Sequence, residues 1–220
     1  MKGMFLCKRG RQDIQPGIAF LATRTTKPNE GDRAKLVKIM NFLKATQNEV
    51  ASMSADDTQS IKWYVDAAFA VHKDFKSHTG ATLSLGNGII CSMSTKQKVN
   101  TRSSTEAELV GVDDIISKAL WTKFFIESQG HKVTTNVICH DNTSAMKLEA
   151  NGKASSGIKY FYITDLIERK EVQIKYCPTD AMLADYMTKP MVGTGWREIY
   201  SFSSANYEFK VIIRVQQECV

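Results

Sequence analysis

Four acidic side chains stand where the surrounding pattern gives a fold little reason to want them. Asp66 interrupts the apolar run IKWYVDAAF at residues 61–69, and a carboxylate buried there without a partner would cost several kcal/mol, so it calls for a cation. Asp141 closes a short apolar stretch in His140-Asp141-Asn142, at the strand end where α/β sheets expose groups to ligands. Glu108 borders the apolar stripe of a long helical segment, whereas Glu106 turns toward its polar side with Asp113 and Ser117. Asp185 follows Met182-Leu183-Ala184, again an acid beside an apolar face. Each has a bland alternative: a bulge or strand-end acid at Asp66, a capping-box residue at Glu108, a helix N-cap at Asp141, a surface residue at Asp185. Taken together, carboxylates on separate elements with no His or Cys at ligand spacing suit hard divalent cations, Mg2+ or Mn2+, rather than zinc. Two such ions about 4 Å apart can activate a water and stabilise the leaving oxygen of a phosphodiester.

The elements that must position these acids follow from hydrophobic periodicity. Residues 61–70, 79–85 and 89–94 read as three strands in quick succession, with Asn87-Gly88 as a hairpin turn between the last two. A long helix is expected over 105–128, with Leu109, Val112, Ile116, Leu120 and Phe124 on one stripe and Thr105-x-x-Glu108 as a capping box. A strand at 136–139, a helix at 144–150, a glycine- and serine-rich break at 151–157, a helix at 160–169, a strand at 171–176 and a helix at 179–188 complete the pattern. The order β-β-β-α-β-α-α-β-α is that of a mixed α/β sheet beginning with an antiparallel meander. Upstream, 13–23 and 32–46 read as two helices around a turn, the second with an apolar stripe of Leu36, Ile39, Met40 and Leu43 opposite Lys35, Lys38 and Lys44.

A chain of 220 residues with 43% hydrophobic and 24% charged content can bury one sizeable core plus an appendage, which excludes collagen, coiled coil and wholesale disorder. The five cysteines are scattered without a C-x-x-C pair, so neither a disulfide framework nor a zinc site is indicated. A formal charge of +6 and a pI near 9.0 tilt the balance toward a polyanionic partner. No apolar run approaches the roughly 20 residues a bilayer requires, and the start MKGMFLCKRGRQ lacks a secretory signal's apolar core. The expectation is an intracellular chain with no membrane partner, cytoplasm and nucleus left open.

The segments IKWYVDAAFAVHKDFKSHTGATLSLGNGIICSMSTKQKVNTRSSTEAELVGV, ICHDNTSAMKLEANGKASSG and VQIKYCPTDAMLADYMTKP together resemble the ribonuclease H domain of copia-type retrotransposon polyproteins. A Y-V-D-A strand, S-T-K-Q, S-S-T-E-A-E, D-N-T-S-A and L-A-D-Y-M-T-K-P occur in that family's order. The resemblance implies a ribonuclease H-like α/β fold: a mixed five-stranded sheet, antiparallel meander then parallel strands, flanked by helices. It implies residues 1–58 as a helical connecting region downstream of a missing reverse transcriptase, 59–192 as the ribonuclease H-like domain, and 193–220 as an unassigned tail. Val112-Asp113-Asp114 lies mid-helix and is not read as a polymerase V-D-D turn.

By the same resemblance, Asp66, Glu108, Asp141 and Asp185 are the carboxylates that hold Mg2+ or Mn2+ in a two-metal endoribonuclease cutting the RNA strand of RNA–DNA hybrids. A reverse transcriptase domain of the same element is an implied partner. Lys96 and Lys98 would hold the nucleic-acid backbone, while Ser103, Ser104 and Asn142 would donate to sugars or phosphates, with helix capping as the alternative for the serines. The sequence also departs from the family. Between Gly157 and Ile158 the family carries a basic run of the form R-T-x-H-I-x-I-R that is missing here, and no histidine follows His140. The expected consequence is impaired turnover with metal binding retained. The alternative functions are therefore a remnant that binds nucleic acid without cutting it, or an interaction scaffold. Beyond Met191 the family's ending fades, and EFKVIIRV near the C-terminus reads as an added strand or as sequence beyond the element.

Overall fold

The computed structural model describes residues 2–48, 51–56, 59–151, 159–188 and 211–213. It begins with three helical pieces: α1 (Lys2–Arg9), a 3-10 turn (Gln12–Ile14) leading into α2 (Gln15–Ala22), and α3 (Glu30–Ala45). Strands β1 (Ala51–Ala55), β2 (Ser60–Ala68), β3 (His78–Ser84), β4 (Gly86–Asn87) and β5 (Cys91–Lys96) follow, then α4 (Ser104–Ser128), β6 (Thr135–His140), α5 (Thr143–Asn151), α6 (Lys159–Glu168), β7 (Gln173–Tyr176), α7 (Asp185–Thr188) and β8 (Val211–Ile213). The main sheet has five strands in the order β5-β3-β2-β6-β7, antiparallel from β5 to β2 and parallel from β2 to β7. This is the mixed, helix-flanked sheet of the ribonuclease H-like fold expected from the sequence.

The core forms where α4 lies on the sheet. Ile61, Trp63 and Val65 alternate along β2 toward Val112, Ile115, Ile116 and Ala119, joined by Ile138, Ile163 and Leu166. Gly111 lets that helix come close, because a Cβ there would meet Val65 Cγ1 at 3.3 Å. The expected α4 stripe is buried at Leu109, Val112 and Ile116, but Phe124 is 54% exposed, since the C-terminal turns of α4 carry Trp121, Phe124 and Phe125 out into solvent. α7 packs against β2 and β3, and Gly80 permits it: a Cβ at that position would come within 2.6 Å of Thr188 and 2.8 Å of the Ala184 carbonyl.

Several local expectations need correction. Asn87-Gly88 does not form a two-residue hairpin turn. Gly86 and Asn87 pair instead with Ala55 and Ser54 of β1, Asn87 stays out of the positive-φ region a type I′ turn requires, and the Ile90 N–H to the Leu83 carbonyl re-closes the ladder beyond them. The helix at 179–188 is interrupted: a 3-10 turn (Thr179–Ala181) is separated from α7 by Met182 in an extended conformation. The capping box at α4 lies elsewhere. Ser103 is the N-cap, accepting from the Glu106 N–H at 3.1 Å, and Glu106 reaches back to the Arg102 N–H at 2.7 Å, so Thr105 and Glu108 are not its members. The stripe assigned to α3 is largely wet, with Leu36 45% and Met40 58% exposed, because this helix packs mainly on α2.

Residues upstream of the sheet also include β1, which sequence periodicity did not single out; it joins β4 and β8 in a small antiparallel sheet. β8 is thus an added strand from the C-terminal segment, while the break at 152–157, the Gly157–Ile158 junction and most of the tail lie outside the described residues. The N-terminal pieces dock on the edge strand β5: Lys8 and Gln15 donate to the Ser92 carbonyl, Gln12 to the Ile90 carbonyl, and the Ser92 hydroxyl donates to Gln15 Oε1. Covering an edge strand with side-chain amides satisfies carbonyls that would otherwise be open to another chain. No helix among the described residues is long and apolar enough to cross a membrane.

Candidate metal centre

Strand register explains how the first two acids meet. β2 runs parallel to β6 with Tyr64 opposite Cys139, so two residues further on Asp66 and Asp141 emerge side by side at the C-terminal ends of adjacent strands. α4 crosses the same end of β2 and brings Glu108 in from its first turns. One ligand oxygen from each of Asp66, Glu108 and Asp141 lies within 4.8 Å of the others.

Asp66 and Glu108 are buried and Asp141 is half-buried. Burial, then the charges of Asp66 and Asp141, push the Glu108 carboxyl up to about 9, so at neutral pH it keeps its proton. Its Oε2 is buried and has no hydrogen-bond partner. An all-oxygen set of three acids with one orphaned carboxyl oxygen fits a hard divalent cation, which would replace the proton and relieve the mutual repulsion.

Two threonines fix the orientation of the aspartates. The Thr188 hydroxyl donates to Asp66 Oδ2, and the Thr179 hydroxyl donates to Asp141 Oδ2 at 2.8 Å. Sequence reasoning missed both, although each sits next to a singled-out feature, in Cys177-Pro178-Thr179 and in Met187-Thr188-Lys189-Pro190. Behind the cluster, His140 and Glu149 form a fully buried pair at 3.0 Å that ties the end of β6 to α5.

The other expected residues have definite places. Asp185 opens α7, half-buried and outside the three-acid group. Asn142 is half-buried and accepts from the Ser144 and Ala145 N–H groups, so it, and not Asp141, caps α5. Ser103 caps α4 through its hydroxyl oxygen, and Ser104 is exposed beside it. Lys96 pairs with Asp74 at 2.7 Å, whereas Lys98 is exposed. Between these lysines Gln97 is buried and donates to the Thr79 hydroxyl and the Ala107 carbonyl, anchoring the loop to α4.

Comparison with known proteins places this geometry in context. No protein-family model matches the chain. It is 31% identical over 198 residues, 87% of its length, to the retrovirus-related Pol polyprotein from transposon RE1 of Arabidopsis thaliana. It is 27% identical over 217 residues, 95% of its length, to that from transposon RE2 of the same plant. The chain spans 14% of the length of each of these relatives. Among solved structures it is similar to LC11-RNase H1, isolated from compost by a metagenomic approach, with 12% identity, 59% of this chain and 92% of that one covered, and a TM-score of 0.43. With a β5-β3-β2-β6-β7 sheet of the expected topology and relatives that match nearly its whole length, the chain belongs with the retrovirus-related Pol polyproteins of copia-type retrotransposons, as a ribonuclease H-like portion.

Proposed function

We propose that the chain is a divalent-metal-dependent endoribonuclease that hydrolyses the RNA strand of an RNA–DNA hybrid. The observation that carries this reading is the convergence of Asp66, Glu108 and Asp141 from three separate elements. These three would hold Mg2+ or Mn2+, which when bound supplies Lewis-acid stabilisation of the phosphodiester and a more acidic water. The chain's own part is to bind and orient. Thr188 and Thr179 set the rotation of the two aspartates, and Glu108 gives up its proton when the cation enters. Asp185, one helical turn before Thr188, is the fourth acid of the proposal and acts from the periphery of the cluster. Lys96 closes β5, Lys98 and Ser103 lie between β5 and α4, Ser104 opens α4, and Asn142 lies between β6 and α5. There they would face backbone phosphates and the 2′-hydroxyls that distinguish RNA from DNA. The natural setting of the reaction would be a polyprotein in which residues 1–58 connect this domain to a reverse transcriptase.

The missing basic run between Gly157 and Ile158, with no histidine after His140, favours one second reading, a remnant that binds hybrid without cutting it. Cleavage of a labelled RNA–DNA hybrid with Mg2+ or Mn2+, run beside Asp66→Asn and Asp141→Asn, separates the two. RNA-strand cutting that is lost in both variants supports the nuclease. A folded wild-type protein that binds hybrid and leaves it intact supports the remnant.

A further inference from the structure

On the side of the sheet end where α2 and α3 meet the segment after β2 lies a pocket of about 800 Å3, open to solvent on one side, within the range of small-molecule sites. Of its lining, Thr188 also donates a hydrogen bond to Asp66 of the three-acid cluster. Phe20, Ile39, Phe42 and Val71 give it apolar and aromatic walls. Its charge is one-sided. Lys35 and Lys38 line it from the exposed face of α3, and the Lys35 ammonium is held 4.4 Å from the centroid of the Phe20 ring. The acid in the lining, Asp13, is already matched by Arg11 at 2.8 Å. The two imidazoles in the lining, His72 and His78, hydrogen-bond each other at 3.0 Å, and burial holds both below the usual histidine range. They contribute polar surface without positive charge at neutral pH.

We propose that this cavity is a binding site for an aromatic organic anion, its ring against Ile39, Phe42 and Val71 and its acid group facing Lys35 and Lys38. The walls reward a flat apolar body, and the two ammonium groups reward a carboxylate, sulfonate or phosphate at one end. Its test reads ligand binding directly and does not use nuclease activity.

The full chain is titrated with 8-anilinonaphthalene-1-sulfonate and with the uncharged N-phenyl-1-naphthylamine, following fluorescence. One saturable site is expected for the sulfonate. Lys35→Glu together with Lys38→Glu, both at exposed positions, should weaken sulfonate binding by about tenfold or more while sparing the neutral dye. Ile39→Trp, which fills the cavity, should remove both dyes while far-UV circular dichroism stays that of the wild type. Absence of saturable sulfonate binding overturns the proposal. Equal affinity in the wild type and the lysine double variant also overturns it, by placing the dye elsewhere, for instance on the exposed Trp121 and Phe125 face of α4.

Discussion

Glu108 carries its proton at neutral pH because burial and two neighbouring aspartates raise its carboxyl to about 9. In metal-free protein the folded state therefore holds a proton between about pH 4.5 and 9 that the unfolded chain has released, and stability falls as pH rises through that window. Urea unfolding of the metal-free protein should show this decline, and Glu108→Gln should flatten it. His78 works in the opposite sense. Burial lowers it to about 4, so the unfolded chain takes up a proton first as pH falls below about 6.5, and its contribution to stability is lost between there and about 4. An acid-limb stability profile steeper than that of His78→Gln is the expected result. Thr188 tests the orientation of Asp66. A hydrogen bond to a charged group is worth roughly 1.5–3 kcal/mol, so Thr188→Val should raise the Mg2+ or Mn2+ concentration for half-maximal cleavage by about tenfold, whereas Thr188→Ser retains the donor and the wild-type value.

Glycine placement controls the elements. At Gly80 any side chain meets Thr188 Cγ2 and the Ala184 carbonyl, and the carbonyl cannot move without moving the chain between the 3-10 turn and α7. Gly80→Ala should therefore cost about 1–3 kcal/mol by overpacking, measurable as a lower melting temperature. It should also weaken metal activation, since α7 carries Thr188. The N-cap at Ser103 is a simpler case: Ser103→Ala should cost about 1 kcal/mol, with hybrid affinity at moderate salt distinguishing capping from phosphate contact. Most elements were legible in the sequence, because amphipathic periodicity along α4 and alternation along β2 are local properties that burial then rewards. The Asn87-Gly88 turn was misread because β1, a strand with no periodic signal of its own, draws Gly86 and Asn87 into another sheet. The helix at 179–188 was drawn too long because its apolar residues serve two separate packing contacts. Met182 sits with Cys177, while Leu183 and Met187 sit with Ile89.

At the scale of the molecule, the N-terminal helices and the main sheet are joined through buried amides. Gln15 is nearly inaccessible and both accepts from and donates to Ser92. Gln15→Leu should leave the Ser92 hydroxyl and carbonyl without these partners and lower stability by about 1–3 kcal/mol, read as a shift of the urea midpoint monitored by both helix content and tryptophan fluorescence. Composition alone hinted at this scale only through the charge of +6, and hydropathy on α3 pointed the wrong way, placing Leu36 and Met40 inside when they lie outside.

The order and type of the main elements were written in the sequence, as was the oddity of Asp66, Glu108 and Asp141 at the edges of apolar segments. Each of these is a contrast between a residue and its near neighbours. What the tertiary structure alone decided is distance. The β2–β6 register sets Asp66 beside Asp141, Gly111 lets α4 close on β2, and Gly80 of β3 leaves room for α7. Two threonines from the C-terminal segment turn the aspartates, and Thr188 also donates to the Asp185 carbonyl at 3.1 Å, so Asp185 opens α7 beside the three-acid group. These distances depend on pairings between residues tens of positions apart, whose energies come from burying shared surface and leave no periodic trace in either partner's sequence.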